Sequence, residues 1–306
     1  MPPKPLDAEL IRNEALRIGF DACGISRVKF LEKEARQLEQ FLSEKRHGNM
    51  TWLERNFDKR TNPGLLVDHA KSIISVIANY KPDTQIQVNP EMPKISSYAW
   101  GRDYHYTLKE KLENLLSFIR ETYGNVNARI FVDSAPVMDK VWAQYSGLGW
   151  IGKHTNLIRK GFGSWFFIGE IIIDLELSVD APVSDHCGTC TRCIDACPTE
   201  ALQAYQIDAS RCISYLTIEL KESMSEEMRQ KSEGWAFGCD ICQAVCPWNS
   251  QSLAHTSGWF QPLPFILSMS EKEWMELPDA DFKKQVKDSP LSRIKPGKWK
   301  DNLRKS

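Results

Sequence analysis

The chain has 306 residues, 42% hydrophobic and 26% charged, with a formal net charge of −1. That composition describes a folded protein able to bury a substantial core, and its length allows two domains. No run of about 18 or more apolar residues occurs, so no membrane span is expected.

Taken in chain order, the periodicities alternate between helix and strand. Asp7 is placed to cap a helix carrying Leu10, Ile11, Ala15 and Ile18 at helical spacing and ending near Gly19. Cys23, alone in its segment, reads as a buried small side chain. A second helix is expected from about Leu31 to Arg46, and the β-branched run Ser72 to Tyr80 reads as a strand. Asp103-Tyr-His105 resembles the start of the D-x-H-x-x-G element that supplies an axial histidine to some cobalamin enzymes, but Leu108 stands where glycine is required. His105 is therefore read as a surface or supporting residue. From Thr107 to Tyr123, Leu108, Leu112, Leu115 and Ile119 share one helical face, with Gly124 as a stop. Arg129 to Val132 is strand-like, so Asp133 falls where a strand enters a turn, and Val137 to Tyr145 forms the next helix. Gly147-Leu-Gly149-Trp-Ile-Gly152 matches G-x-G-x-x-G, yet a helix precedes it where a dinucleotide fingerprint needs a strand. Those glycines instead let the backbone approach something closely. Trp165 to Ile173 is a long strand candidate. The alternation predicts an α/β layered domain over 1–180, a cysteine-rich module over 181–255 and a short basic C-terminal segment over 256–306.

Eight of the nine cysteines form one pattern. Cys187, Cys190, Cys193 and Cys197 precede Pro198, Cys212 stands alone, and Cys239, Cys242 and Cys246 precede Pro247. The first run is the C-x2-C-x2-C-x3-C-P signature of bacterial two-cluster ferredoxins, in which the fourth cysteine of each run ligates the other run's cluster. The second run lacks its first cysteine, and Cys212 supplies it. The expected cages are Cys187, Cys190, Cys193 and Cys246 for one [4Fe–4S] cluster, and Cys212, Cys239, Cys242 and Cys197 for the other. Structural zinc favours paired C-x2-C knuckles, often with histidine, and does not explain this spacing. Disulfides suit an oxidising compartment. The opening MPPKPLDAEL offers neither a secretory apolar stretch nor a twin-arginine address, so a cytoplasmic location is expected.

From Lys283 to Ser306 there are nine Lys/Arg, Lys305 among them, against two aspartates, with Trp299 in their midst. Such a segment either grips a nucleic-acid backbone with a stacking surface or is a solvated tail.

The ordered set GFDACGIS (19–26), HGNMTWLERN (47–56), DYHYTL (103–108), VDSAPVMDKVWAQYSGLGWIGKHTNLI (132–158), GSWFFIGEI (163–171), RCISYLTIE (211–219), GCDICQAVCPWN (238–249) and SPLSRIK (289–295), with the first cysteine run, resembles the epoxyqueuosine reductases over nearly the whole chain. The resemblance implies reduction of the epoxide of epoxyqueuosine to the cyclopentene of queuosine at the wobble position of tRNA, the last step of queuosine biosynthesis. It also implies cobalamin beside the two clusters, an N-terminal half related to flavin nitroreductases, and a low-potential electron donor such as flavodoxin or ferredoxin.

Within that resemblance Asp133 matches the proton donor, and desolvation at a strand end beside an apolar cofactor would favour its protonated form. Read from the residues alone, D-S-A-P is equally good helix-capping chemistry. Arg55 is a candidate contact to the corrin, and Ser214 and Asp240 are candidates to lie between a cluster and the corrin. His154 stands where relatives commonly carry asparagine, which points to a hydrogen bond to cofactor or substrate. Asp139 stands where relatives often have glutamate. Many relatives continue into helical repeats for which residues 296–306 leave no room. A reductive dehalogenase and a ferredoxin-like electron carrier are the rival readings.

Overall fold

The computed structural model describes residues 6–83 and 85–304. Its first helix, α1 (Glu9–Ile18), starts after Asp7, whose Oδ1 accepts the Glu9 N–H at 3.0 Å, and ends at Gly19, where φ is +111°. Glycine meets that left-handed requirement without a Cβ clash. Strand β1 (Ala22–Arg27) and helix α2 (Glu32–Ser43) follow, then β2 (Ser72–Asn79), α3 (Tyr104–Tyr123), β3 (Ala128–Phe131), α4 (Asp139–Tyr145) and β4 (Phe166–Ile173).

The four strands make one sheet in the order β1-β2-β4-β3, antiparallel throughout. The alternation of helices and strands along the sequence suggested α/β layering, but it does not fix strand direction, and the result is an α+β arrangement. Helices α1 and α3 cover one face, where Ile11, Ala15, Leu108, Leu112, Leu115 and Ile119 pack on Ile74, Val76, Ile171 and Ile173. On the other face Trp142 of α4 packs against Leu31, Ile73, Phe131 and Ile172. Every residue of β2 is buried, as a central strand covered on both sides requires.

Beyond α4 the chain makes a hairpin, Trp150–Ile151 against Leu157–Ile158. Gly149 packs its α-carbon against the carbonyl of Ile158 so closely that a Cβ has no room. The G-x-G match is thus a backbone contact and no dinucleotide loop. The cysteine module docks on this hairpin, with Cys246 buried against Trp150 and Ile158. Its short helices Arg192–Asp195 and Ile241–Ala244 each lead into a Cys-Pro pair.

The C-terminal segment departs from a solvated tail. Helices Pro264–Ser268, Glu271–Glu276, Asp279–Gln285 and Pro296–Leu303 enclose Trp274, Phe282, Leu291 and Trp299 together with Phe237 and Ile95. Trp299 is fully buried. Its ring centroid lies 5.0 Å from that of Trp274, so it offers no stacking surface to a base. Lys283, Lys284, Lys298 and Lys300 sit on short helices whose inner faces bury Phe282 and Trp299, and Lys287 and Lys295 lie beside them. Lys300 pairs with Asp279 at 3.2 Å and Lys298 donates to the Glu222 carbonyl at 3.1 Å, whereas Lys283, Lys284, Lys287 and Lys295 are exposed. Lys305 lies outside the described residues. Among the described residues no helix is long and apolar enough to cross a membrane.

Candidate functional site

A cavity of about 450 Å3 opens where the sheet layer meets the cysteine module. The Asp133 turn, the 154–157 limb of the hairpin and Phe166 to Ile168 of β4 form its walls, and Cys197, Cys212, Cys239 and Cys242 line it as well. A second cavity, about 240 Å3, is lined by Cys187, Cys190, Cys193 and Cys246. The eight cysteines therefore divide between two spaces.

Repulsion between thiols largely follows the same division. Cys193 feels Cys246, Cys187 and Cys190, and Cys246 feels Cys187 and Cys190. Cys212 feels Cys197, and Cys239 feels Cys212 and Cys197; Cys242 feels Cys239 and Cys212 most, then Cys193 from the other set ahead of Cys197. Burial pushes the Cys239 thiol up to about 12 and Cys242 higher still, so these thiols lose their protons only to a metal. Among the described residues no three Cys, His, Asp or Glu side chains gather tightly enough for a single metal ion. In a four-iron cluster the iron and sulfide atoms themselves stand between the cysteines.

Asp133 follows β3 with φ at +52°, a left-handed conformation that aspartate tolerates better than most residues. More than half of its side-chain surface, 55%, stays open, and this carboxylate lines the cavity. The Tyr104 hydroxyl donates to its Oδ2 at 2.6 Å, and His105 Nε2 lies 3.5 Å from the same oxygen. On the far side of the imidazole, Nδ1 meets Asp103 Oδ1 at 2.7 Å. Asp103 caps α3 by accepting the His105 N–H, which fixes all three residues at one helix end. Tyr104 is held flat between Phe167 and His105, each ring centroid 4.2 Å away.

The electrostatics correct the expectation for Asp133. Burial alone would raise its carboxyl, but the hydrogen bonds from His105 and Tyr104, with the charges of His105 and Arg293, outweigh it and hold Asp133 below the usual carboxylate range. The proton resides instead on His105: burial lowers it, yet the two flanking carboxylates win and lift it to about 9. Tyr104 and Arg293 were not singled out from sequence. The end of α3 brings Tyr104 against Asp133, whereas Arg293, paired with Glu219 at 2.6 Å, acts on Asp133 through its charge.

Behind Asp133 lies a buried carboxyl pair. Glu170, in the middle of β4, is fully buried, and among the described residues neither of its carboxyl oxygens has a hydrogen-bond donor. It faces Asp139, the first residue of α4, which also lines the cavity. Burial is the largest influence on both, raising Asp139 to about 6 and lifting Glu170 well above its ordinary value.

His154 is 2% exposed. Its Nδ1 accepts the Asn156 N–H at 3.1 Å, which leaves the proton on Nε2, buried and without a partner among the described residues. Burial and then the charge of Lys140 lower it to about 4, so it is a neutral donor at a wall of the cavity. Ser214 also lines the cavity. Asp240 does not. Its carboxylate accepts from the Ser96 hydroxyl and from the Ser97 N–H at 2.8 Å, which makes it an anchor for the 96–97 turn. Arg55 is exposed and away from the cavity lining. Cys23 is partly buried on β1, its thiol pushed up to about 12 by burial.

Residues 186–249 match the family described as 4Fe-4S double cluster binding domain, and residues 60–134 match Epoxyqueuosine reductase QueG, DUF1730. An epoxyqueuosine reductase of Cellulophaga algicola is 52% identical over 304 residues, covering 99% of each chain. A solved epoxyqueuosine reductase with a tRNA-Tyr epoxyqueuosine-modified stem loop superposes with a TM-score of 0.89 at 28% identity, over 96% of this chain and 79% of that one. The Bacillus subtilis enzyme, solved with its catalytic aspartate loop swung out of the active site, gives 0.88 at 28% identity over the same shares. A catabolic reductive dehalogenase gives 0.51 at 17% identity, over 79% of this chain and 32% of that one, a likeness of fold alone. Identity of 52% over 99% of the Cellulophaga algicola enzyme decides the matter, and the chain belongs to the epoxyqueuosine reductase family.

Proposed function

We propose that this protein reduces epoxyqueuosine to queuosine in tRNA, at the cavity between Asp133 and the second set of cysteines, with cobalamin and two [4Fe–4S] clusters. The observation that carries the reading is convergence. Cys197, Cys212, Cys239 and Cys242 line the same 450 Å3 space as Asp133, so electrons and a proton reach one place. The division of cysteines between two cavities supports the exchanged ligand sets, Cys187, Cys190, Cys193 with Cys246, and Cys212, Cys239, Cys242 with Cys197.

The residues present suit a corrin. Leu157, Phe166, Ile168, Leu202, Ile207 and Ile213 give the cavity a broad apolar wall, and the unpartnered Nε2–H of His154 is a donor waiting for a buried acceptor. Ser214 and Lys140 offer further polar contacts at its edge. When bound, cobalamin supplies a low-potential cobalt centre able to act on the epoxide carbon. On this reading residues 1–180 form a cobalamin domain related to flavin nitroreductases, residues 181–255 carry the clusters, and residues 256–306 complete the fold.

Removing the epoxide oxygen as water takes two electrons and two protons. Asp133 is the proton donor on this reading, and its ionised resting form is recharged by the His105 imidazolium 3.5 Å away. Tyr104 orients the carboxylate. Cys190 is exposed, so the cluster it ligates lies nearest a soluble low-potential donor such as flavodoxin or ferredoxin. The partner is the anticodon stem-loop of a tRNA, in the cytoplasm. The test is anaerobic reconstitution with iron, sulfide and cobalamin, followed by nucleoside analysis of epoxyqueuosine-containing tRNA after adding reductant. Appearance of queuosine is expected, and its absence with both clusters and cobalamin bound refutes the reading.

A further inference from the structure

The reaction needs two protons on one oxygen, while Asp133 has one to give at a time. Asp139 and Glu170 answer that need. Glu170 is fully buried, its carboxyl oxygens have no donor among the described residues, and the groups acting on it are the carboxyls of Asp139 and, more weakly, Asp133. Two buried carboxylates side by side repel strongly, and each alone would be costly, so one proton between them is the low-energy state. Asp139 opens onto the cavity that holds Asp133, and the amide N–H groups of Asp133 and Asp139 itself face its carboxyl.

We propose, on the reading above, that Asp139 and Glu170 share a proton and that Asp139 delivers it into the cavity as the second acid of the epoxide reduction. Both carbon–oxygen bonds break, the two electrons from the low-potential donor end in the new carbon–carbon double bond, and the oxygen leaves as water. One O–H bond of that water comes from Asp133 and the other from Asp139. Both acids become carboxylates and are recharged from solvent and His105. The doubly ionised pair is disfavoured by burial, which drives its recharging before the next turnover. The other charges facing the pair are Asp133, which keeps it protonated, and Arg60 and Lys140, which temper that effect.

Two measurements on the protein reconstituted with iron, sulfide and cobalamin test this. Infrared spectra in H2O and D2O should contain the carbonyl band of a protonated buried carboxyl at neutral pH, and both Asp139→Asn and Glu170→Gln should lose it. Single-turnover reduction of an epoxyqueuosine stem-loop should slow on the order of a hundredfold in Asp139→Asn, with stem-loop affinity unchanged. Asp139→Glu keeps the acid and should restore both band and rate, separating acid chemistry from packing. No such band in the wild type, or Asp139→Glu as slow as Asp139→Asn, overturns the proposal. An inactive wild-type protein would instead refute the assigned reaction, and the infrared band would still decide whether the proton is shared.

Discussion

The Tyr104 hydroxyl and Asp133 Oδ2 are 2.6 Å apart, and the residue after Tyr104, His105, stacked on its ring, brings Nε2 to 3.5 Å from the same oxygen. One helix end thus supplies both the group that aims the carboxylate and the group that carries its proton. Because His105 is lifted to about 9, this proton is present throughout the neutral range.

The pH dependence follows from that shift. His105 has a folded pKa above its ordinary 6.5, so its ion pairs stabilise the fold fully below that value and are lost as pH rises through about 9. Single-turnover reduction should fall over the same window. His105→Gln should slow the reaction at neutral pH and remove the alkaline fall near pH 9. A wild-type profile flat beyond pH 10 would contradict the role of His105.

Cys212→Ala should damage only the cluster at the Asp133 cavity, because Cys187, Cys190, Cys193 and Cys246 line a separate space. Iron content should drop by about half, with one four-iron signal left in electron paramagnetic resonance. Two intact clusters would remove Cys212 from the ligand set.

Trp299→Ala should cost about 3–5 kcal/mol of stability, as expected for emptying a large buried aromatic site, read as a lower urea midpoint. Its tRNA affinity, measured where the variant is still folded, should stay near that of the wild type. On the proposed function, phosphate contacts are expected from exposed lysines instead. Reversing the charges of Lys283, Lys284, Lys287 and Lys295 together should flatten the salt dependence of stem-loop binding, by about 0.7–0.9 for each phosphate no longer neutralised. An unchanged slope would place the phosphate-binding residues elsewhere.

What the sequence disclosed and what it hid have a common physical basis. Cluster ligands sit at fixed spacings along a few turns of chain, so the eight cysteines could be picked out as one pattern, and the fold brings Cys212 to the same cavity as Cys197, Cys239 and Cys242. The helical face of Leu108, Leu112, Leu115 and Ile119 was equally plain, and all four are buried in the core. The pairing of Asp139 with Glu170 depends on where α4 crosses β4. No local period encodes that crossing. Asp240 looked like a cofactor contact because it lies between two ligands, but its side chain turns to Ser96 and Ser97. Trp299 was hidden by its lysine neighbours, since a short amphipathic helix and a basic tail have nearly the same composition.

The most direct test of the account is Asp133→Asn in a single turnover. The variant should keep both clusters, bind cobalamin and hold the epoxyqueuosine stem-loop as the wild type does, yet reduce the epoxide on the order of a hundred- to ten-thousand-fold more slowly, because an amide delivers no proton to the departing oxygen. A rate near that of the wild type with the cofactors in place would contradict the account and leave Asp133 as a turn residue after β3.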